Sequence, residues 1–242
     1  MRTDTRDGVI ETVLPRQTLL YRSNAFKSKL IAANVTQMVI VLATQPSFYE
    51  SLLNRCLVAA EYANVKPLIV LNKCDLECAD ALQKVAIYQA LSIPVVRLSA
   101  KQDIAPLREH LENHCSIMVG QSGMGKSTII NALLPNENVR TQEVSTVLDS
   151  GKHTTTAARL YHLDATSSLI DSPGLQEFGL FHLSKSELAH AFVEFKPFLG
   201  KCKYNNCQHS HEPDCAILNA FKMGKIAATR LKHYQEIALE LA

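Results

Sequence analysis

Residues Gly120-Gln121-Ser122-Gly123-Met124-Gly125-Lys126-Ser127 carry the pattern of a phosphate-binding loop, and most of what can be predicted for the 242-residue chain follows from it. The apolar run Ile117-Met118-Val119 precedes the loop, and a helical pattern that begins at Thr128 follows it. A strand, a glycine-rich loop and a helix in this order are the setting in which the pattern binds phosphate. The sequence therefore predicts a nucleotide-binding domain around this loop.

The residue types in the loop suit the charged tail of a nucleotide. Gly120, Gly123 and Gly125 let backbone N–H groups turn toward phosphate oxygens, and the N-terminus of the following helix adds its positive end. Lys126 is predicted to contact the β- and γ-phosphates, and the Ser127 hydroxyl is predicted to bind Mg²⁺. The predicted phosphate site comprises Gly120, Gln121, Ser122, Gly123, Met124, Gly125, Lys126, Ser127 and Thr128.

Two motifs typical of guanine recognition stand earlier in the chain. Asn72-Lys73-Cys74-Asp75 follows the apolar run 68–71, and Ser99-Ala100-Lys101 follows the apolar run 94–98. A carboxylate at Asp75 can accept hydrogen bonds from the ring N–H and the exocyclic amine of guanine, whereas adenine would leave that charge unpaired. We expect Asn72 to fasten loops around the base, the Lys73 stem to lie along its face, and the Ser99-Ala100-Lys101 loop to bring a backbone N–H to the guanine oxygen.

The segment after the phosphate loop offers groups that could sense a γ-phosphate. Asp171-Ser172-Pro173-Gly174 ends an apolar run, so that the Asp171 carboxylate can face the magnesium shell and the Gly174 N–H can reach the γ-phosphate. Among the hydroxyls of Gly151-Lys152-His153-Thr154-Thr155-Thr156, Thr155 is the favoured magnesium ligand, and Thr154 and Thr156 are the alternatives. A polar surface turn is the competing interpretation of this segment.

The position after the Asp-x-x-Gly motif is unusual for a hydrolase of this kind. Leu175 stands where many signalling GTPases hold a glutamine that orients the attacking water, and leucine cannot do so. His153 is the nearest candidate in sequence for positioning that water, and a solvated loop residue is the other interpretation. Either another group supplies the function, or hydrolysis is slow until a partner acts.

The motif order indicates a circularly permuted GTPase domain, because the base-recognition motifs precede the phosphate loop. The apolar runs 38–42, 68–71, 94–98 and 117–119 alternate with helical patterns, which predicts a doubly wound, mostly parallel α/β sheet. Strand-like runs at 9–14 and 18–21 indicate a small N-terminal β segment. Helices are predicted to begin at Ser47-Phe48-Tyr49-Glu50, where Ser47 can cap and Glu50 can reach back, and at Ser184-Lys185-Ser186-Glu187.

A cysteine and histidine cluster follows in the C-terminal part. Cys202-x4-Cys207-x-His209-x5-Cys215 supplies three thiolates and an imidazole, which suits a closed, tetrahedral zinc site of structural type. His211 competes with His209 as the fourth ligand, and four unrelated loop side chains are the alternative reading. The other cysteines are most simply core or surface residues: Cys56, Cys74, Cys78 and Cys115.

Composition is consistent with a cytoplasmic protein. Hydrophobic residues make up 47% of the chain, the formal net charge is +2, and no apolar run approaches the length of a membrane span or a secretory signal. In a reducing compartment, the seven cysteines are expected to be ligands or buried thiols rather than disulfides. The nearly neutral charge argues neither for nor against nucleic-acid binding.

Taken together, these motifs resemble those of one family, the circularly permuted ribosome small-subunit biogenesis GTPases of the RsgA (YjeQ) group. The resemblance covers nearly the whole chain and includes Leu14-Pro15-Arg16-Gln17-Thr18-Leu19-Leu20-Tyr21-Arg22, Ile31-Ala32-Ala33-Asn34-Val35 and the motifs quoted above. It implies GTP hydrolysis stimulated by the 30S subunit, action late in the maturation of that subunit, contact with rRNA, one zinc ion, Mg²⁺ with GTP, and His153 as the suspected catalytic histidine.

The resemblance also implies a division into three parts. We expect residues 1–34 to be the remnant of an N-terminal OB-fold-like β region, 35–178 to form the permuted GTPase domain, and 179–242 to form a helical zinc-binding domain. The expected partners are GTP or GDP and the 30S subunit with its rRNA; we expect a monomer without membrane contact. A nucleotide-gated binding module with negligible hydrolysis is the alternative, and an ATP-utilising kinase is disfavoured by Asp75.

Overall fold

A computed structural model describes residues 10–23, 28–135, 158–172 and 178–241. Its N-terminal part is an antiparallel hairpin of β1 (Leu19–Ser23) and β2 (Ser28–Ala33). The expected strand at 9–14 is wrong for residues 10–14, which are neither helix nor strand. Ile10, Val13 and Leu14 are largely exposed, so this apolar run has no packing surface among the described residues.

The centre of the molecule is a six-stranded sheet with the order β5-β4-β3-β6-β8-β7. All of its strands run parallel except β7, which is antiparallel to β8. In chain order, its elements and the helices between them are β3 (Gln37–Ala43), α1 (Glu50–Tyr62), β4 (Lys66–Asn72), α2 (Ala79–Ala90), β5 (Val95–Arg97), α3 (Ala105–Leu111), β6 (Cys115–Val119), α4 (Lys126–Leu133), β7 (Arg159–His162) and β8 (Ser168–Asp171).

The continuous apolar runs form the interior strands, as the sequence predicts. Every residue of β3 is buried, and so are the last five residues of β4, because helices cover both faces of the parallel sheet. The predicted doubly wound α/β architecture is therefore confirmed. One detail is wrong: α1 begins after Tyr49 with no side-chain cap, so Ser47 does not cap it.

The C-terminal part, which we call the C-terminal unit (residues 179–241), is helical. It contains α5 (Lys185–Ala191), a 3₁₀ helix (Val193–Phe198), α6 (Ala216–Lys222) and α7 (Ala228–Glu240). The predicted helix start at Ser184 is confirmed as a capping box with Glu187. Its core contains Phe192, Phe195 and Tyr234, whose ring centroids lie 5.0–5.4 Å apart.

A buried polar cluster joins the C-terminal unit to α1. Arg230 of α7 is 2% exposed, and its Nε and Nη2 donate to the two carboxylate oxygens of Glu194 at 2.5 and 3.0 Å. Its Nη1 donates to the side-chain oxygen of Asn54 on α1. The Asn54 amide in turn donates to the Tyr88 hydroxyl on α2 at 2.9 Å. Breaking such a pair by removing one partner leaves an uncompensated buried charge, at a cost of roughly 3–5 kcal/mol.

The N-terminal hairpin is fastened to the start of the C-terminal unit. The Ser23 N–H donates to the Gly179 carbonyl at 3.0 Å, and Ser23 forms a parallel bridge with Leu180. The Ser23 hydroxyl oxygen accepts from the His182 backbone N–H at 2.9 Å. The His182 ring lies against the rings of Tyr21 and Tyr62. Among the described residues, no helix is both long and apolar enough to cross a bilayer.

Candidate functional site

The predicted nucleotide-binding motifs meet at the carboxyl edge of the sheet. Asn72 ends β4, the Ser99-Ala100-Lys101 loop follows β5, the phosphate loop follows β6, and Asp171 ends β8. Because these four strands are parallel, the residues that follow them emerge on the same edge, which is where open α/β sheets bind their ligands. The permuted order of the motifs in the chain therefore still assembles one site.

Asn72 holds two of these loops together. Its side-chain amide donates to the Met124 carbonyl in the phosphate loop at 3.0 Å, and its side-chain oxygen accepts from the Ala100 N–H, also at 3.0 Å. The residue is 2% exposed, so both hydrogen bonds are shielded from water. Asn72 therefore fastens the phosphate loop and the Ser99-Ala100-Lys101 loop to each other.

Two glycines let the phosphate loop pass close to its neighbours. A Cβ at Gly120, whose φ is +148°, would lie 2.4 Å from the Val41 carbonyl oxygen. A Cβ at Gly125, whose φ is +94°, would lie 2.3 Å from the Asn72 amide nitrogen. These close approaches, together with the left-handed conformation of Gly125, explain why glycine is needed at both positions.

Lys126 lies at the first position of α4, where the phosphate loop becomes helix. Its ammonium donates to the carbonyl oxygens of Gly120 and Gln121 at 2.6 and 2.7 Å. Burial lowers the pKa of Lys126, and the charge of Asp171 opposes that shift. Burial likewise raises the pKa of Asp171, opposed by Lys126. A cation and a carboxylate thus share a partly dehydrated setting, which strengthens their interaction with charged ligands.

The predicted base loop presents Asp75 to solvent. The pKa of the exposed Asp75 carboxyl is lowered, chiefly by a hydrogen bond from the Ser99 hydroxyl. A backbone hydrogen bond and the positive charges of Lys101 and Lys73 lower it further. The group therefore stays ionised at neutral pH and remains an acceptor. Cys74 lies in the turn before it and bonds through its N–H to the Leu98 carbonyl at 3.1 Å. The Ser99-Ala100-Lys101 loop is thus adjacent to Asp75.

Sequence reasoning missed the loop between β3 and α1, residues 44–49. The Lys73 ammonium donates to the Gln45 carbonyl at 2.6 Å and to the Gly123 carbonyl at 2.8 Å. The Tyr49 N–H donates to the side-chain oxygen of Gln121 at 2.6 Å. This loop therefore touches both the base motif and the phosphate loop. The only signal in the sequence is the apolar run 38–42, whose end reaches the same edge of the sheet.

Several predicted residues lie outside the part of the chain that the structure describes. They are His153, Thr155 with its alternatives Thr154 and Thr156, Gly174 and Leu175. The remaining predicted nucleotide-site residues are all described: Asn72, Lys73, Cys74, Asp75, Ser99, Ala100, Lys101, the loop from Gly120 to Thr128, and Asp171.

The C-terminal unit contains a second site, made of Cys202, Cys207, His209 and Cys215. The ligand atoms of these four side chains all lie within 4.8 Å of one another, so the group could hold a metal ion. The His209 Nδ1 is 3.6 Å from the Cys202 sulfur and 3.4 Å from the Cys215 sulfur, and these two sulfurs are 3.9 Å apart. His211 is exposed and contacts the Ser210 hydroxyl instead.

Contacts from two helices hold this metal-ligand group in place. The Ala216 N–H, at the start of α6, donates to the Cys202 sulfur at 3.4 Å. The Tyr234 hydroxyl and the Gln235 amide of α7 donate to the carbonyl oxygens of Gln208 and His209 at 3.1 and 3.3 Å. Burial raises the pKa of Cys207 to about 12 and also raises that of Cys215. A bound cation would reverse this effect, because it stabilises thiolates directly.

Comparisons with known proteins agree with this geometry. A family model described as RsgA GTPase matches residues 13–181. A protein of Nitrosospira multiformis called "Small ribosomal subunit biogenesis GTPase RsgA" is 51% identical over an alignment of 242 residues, which covers 99% of this chain and 77% of that protein. A protein of Burkholderia mallei with the same name is 51% identical over 247 residues, covering 99% and 78% of the two chains.

Two solved structures are similar as well. YjeQ from Thermotoga maritima is 32% identical with a TM-score of 0.76, and the match covers 96% of this chain and 77% of that one. YloQ, described as a circularly permuted GTPase, is 26% identical with a TM-score of 0.69, covering 96% and 82%. The family match, the identity of about half the residues with two relatives and the permuted fold show that this chain belongs to the RsgA GTPase family.

Proposed function

We propose that this chain binds the small (30S) ribosomal subunit and assists its late maturation, hydrolysing GTP to GDP and phosphate. The observation that carries the proposal is the pair of hydrogen bonds through which buried Asn72 joins the phosphate loop to the Ser99-Ala100-Lys101 loop. These bonds combine the two halves of a guanine-nucleotide site across a permuted chain. The family and the names of its relatives support the ribosomal role.

Within this function, each part of the nucleotide site has a proposed task. Gly120 to Thr128 hold the phosphates, with Lys126 against the β- and γ-phosphates. Asn72 to Asp75 and Ser99 to Lys101 hold guanine. Ser127 and Thr155 bind Mg²⁺, with Asp171 facing the same shell and Gly174 on the γ-phosphate. His153 is proposed to position the attacking water, because Leu175 has no group that can do so.

We assign the metal-ligand group to one structural zinc ion. Zinc lies about 2.3 Å from sulfur and about 2.0–2.1 Å from nitrogen, so tetrahedral ligand atoms should be about 3.5–3.8 Å apart. The separations of 3.4, 3.6 and 3.9 Å among Cys202, His209 and Cys215 fit this spacing, and the Cys207 sulfur lies within 4.8 Å of the other three ligand atoms. Three thiolates and one imidazole fill the four positions, which leaves none for a reaction.

The proposed function also includes contact with rRNA and action as a monomer.

The function can be tested by GTP turnover with separated ribosomal subunits. We expect slow release of phosphate by the protein alone and a clear rise when 30S subunits are added, but no rise with 50S subunits. Binding to 30S without any turnover, alone or stimulated, would instead indicate a nucleotide-gated binding module. If the protein shows no 30S binding and no GTP turnover, the proposal is wrong.

Guanine selectivity is expected to depend on Asp75. In Asp75→Asn, the amide loses one acceptor oxygen and presents a donor to the guanine donors, so GTP affinity should fall by about 10- to 150-fold, equivalent to about 1.5–3 kcal/mol for hydrogen bonds to a charged group. The affinity for xanthosine triphosphate should rise, because xanthine carries a second carbonyl to which the asparagine amide can donate a hydrogen bond. Competition between the two nucleotides measures the change.

The matched control for this substitution is Asp80→Asn. Asp80 is an exposed carboxylate of α2 whose Oδ2 lies 2.8 Å from the Lys84 ammonium, away from the base loop. Its replacement should leave the nucleotide preference unchanged. If Asp75→Asn behaves like this control, Asp75 does not contact the base.

A further inference from the structure

We infer that the loop after β3 and helix α1, residues 44–62, transmit the state of the nucleotide site to the C-terminal unit, with Gln121 and Arg230 as positioning residues at the two ends. We call residues 44–62 the α1 link. The inference rests on the proposed function and assigns the path by which that site would regulate subunit binding. This path runs through packed side chains, separate from the covalent connection between Asp171 and the metal-ligand group.

At the nucleotide end, the α1 link is bonded to both halves of the site. Lys73 of the base motif donates to the Gln45 carbonyl, and Tyr49, the residue before α1, donates its N–H to the Gln121 side chain. Tyr49 is the N-cap residue of α1, which has no side-chain cap, and this bond fixes the residue from which the helix begins. The first turn of α1 is therefore held by a residue of the phosphate loop.

Lys126 connects this end to the phosphates. Its ammonium donates to the backbone carbonyl of Gln121, the residue whose side chain holds Tyr49. The β- and γ-phosphates compete with that carbonyl for the ammonium, because a charged acceptor makes the stronger hydrogen bond, and GTP offers both groups whereas GDP offers only the β-phosphate. Binding of GTP can therefore shift the Gln121 peptide, and the side chain moves with it.

At the other end, both amide donors and the side-chain oxygen of Asn54 have hydrogen-bond partners. Its amide donates to the Glu50 carbonyl at 2.7 Å and to the Tyr88 hydroxyl at 2.9 Å, and its oxygen accepts from Arg230. Asn54 and Arg230 are both buried. A satisfied buried network of this kind favours a single arrangement, so a movement of α1 carries Arg230 with it or breaks the network.

Helix α7 extends the path to the metal-ligand group. Arg230, Tyr234 and Gln235 lie on this helix, and the last two donate to the carbonyl oxygens of Gln208 and His209. The guanidinium of Arg230 also lies 4.3 Å from the centre of the Phe192 ring, in the core of the C-terminal unit. Helix α7 therefore contacts α1 through Arg230 and, one turn further along, the backbone of Gln208 and His209 through Tyr234 and Gln235.

The test is the ratio of 30S affinities in a non-hydrolysable GTP analogue and in GDP. Allosteric coupling usually changes affinity by about 5- to 150-fold, and we expect the unmodified protein to fall in that range. Gln121→Ala removes the acceptor for Tyr49, and Arg230→Lys keeps a charge beside Glu194 but loses the bond to Asn54. Each variant should reduce the ratio to below about 3-fold while its metal content and circular dichroism stay unchanged.

Lys196→Ala is the matched control. The Lys196 ammonium lies 2.5 Å from a Glu61 carboxylate oxygen, so this pair also joins α1 to the C-terminal unit, but both side chains are substantially exposed. Such pairs contribute little, about 0–1 kcal/mol, so the ratio should stay at the unmodified value. An equal loss in this variant would overturn the assignment to the buried network, and so would unchanged ratios in Gln121→Ala and Arg230→Lys.

The double variant Gln121→Ala/Arg230→Lys tests whether both residues belong to one path. If they do, its ratio should be no lower than that of either single variant, whereas independent effects would multiply. GTP turnover is measured on the same preparations. Suppose that 30S subunits stimulate GTP turnover of the unmodified protein, but its 30S affinities in the GTP analogue and in GDP are nearly equal. This result would contradict the α1 link and leave the proposed function intact. Absence of both binding and turnover would contradict the function itself.

Discussion

Lys126→Ala is expected to reduce GTP turnover by at least about 10²–10³-fold, the size of effect seen when a donor to developing negative charge is removed. Lys126 is the ammonium that the fold holds within the phosphate loop, 2.6 and 2.7 Å from two of its carbonyl oxygens. Alanine leaves the glycine-rich backbone intact but removes the charge. Single-turnover release of phosphate from GTP measures the loss.

Two comparisons make this result specific. Lys84→Ala removes a partly exposed lysine of α2 that pairs with Asp80, and it should leave turnover unchanged. His153→Ala should lower turnover while nucleotide affinity stays the same, if that histidine positions water. Lys126→Ala should lower both turnover and nucleotide affinity, because the Lys126 ammonium contacts the phosphates before and during the reaction. Full turnover in Lys126→Ala would remove this residue from the phosphate site.

Cys215→Ser is expected to release the metal ion and unfold much of the C-terminal unit. Structural zinc contributes about 10–16 kcal/mol of apparent binding free energy in small zinc-dependent folds, and that free energy is coupled to folding. Cys215 is 1% exposed and immediately precedes α6, so serine leaves a buried hydroxyl where a thiolate ligand stood. Metal analysis should fall from about one zinc per chain to almost none, and helical circular dichroism should decrease.

Cys115→Ser is the matched control for the metal-ligand group. Cys115 is a partly exposed thiol at the start of β6 and lies outside the group. Its zinc content and helicity should match those of the unmodified protein. GTP binding should survive in Cys215→Ser, because the nucleotide-site contacts lie before the C-terminal unit. A fully folded, metal-free Cys215→Ser protein would show that the group has no structural role.

Strands and motifs could be predicted from the sequence because their signals are local. The apolar run 38–42 becomes β3 (Gln37–Ala43), and the run 68–71 becomes the buried part of β4 (Lys66–Asn72). Asn72 could be given a role because its motif directly follows an apolar strand of the same predicted sheet as the phosphate loop. The Ser184 capping box spans only four residues, so its whole signal is visible in the chain.

Features that depend on distant partners could not be predicted. Ser47 was expected to cap α1, yet Gln121, far along the chain, accepts the Tyr49 N–H that a cap would otherwise satisfy. The pairing of Asn54 with Arg230 joins residues 176 positions apart, and no local pattern marks either of them. The run 10–14 shows the opposite error, since its apolar alternation indicates a strand that has no partner among the described residues.

The fastening of Ser23 to Gly179 and His182 has a mechanical consequence. The chain enters the sheet from the hairpin and leaves it toward the C-terminal unit. Hydrogen bonds from Ser23 to Gly179 and His182 join the segment that enters to the segment that leaves. A force that pulls the hairpin away from the C-terminal unit would act on these hydrogen bonds before it acts on the strands of the six-stranded sheet. We therefore expect such a force to separate the two segments while the loops at the carboxyl edge of the sheet stay together.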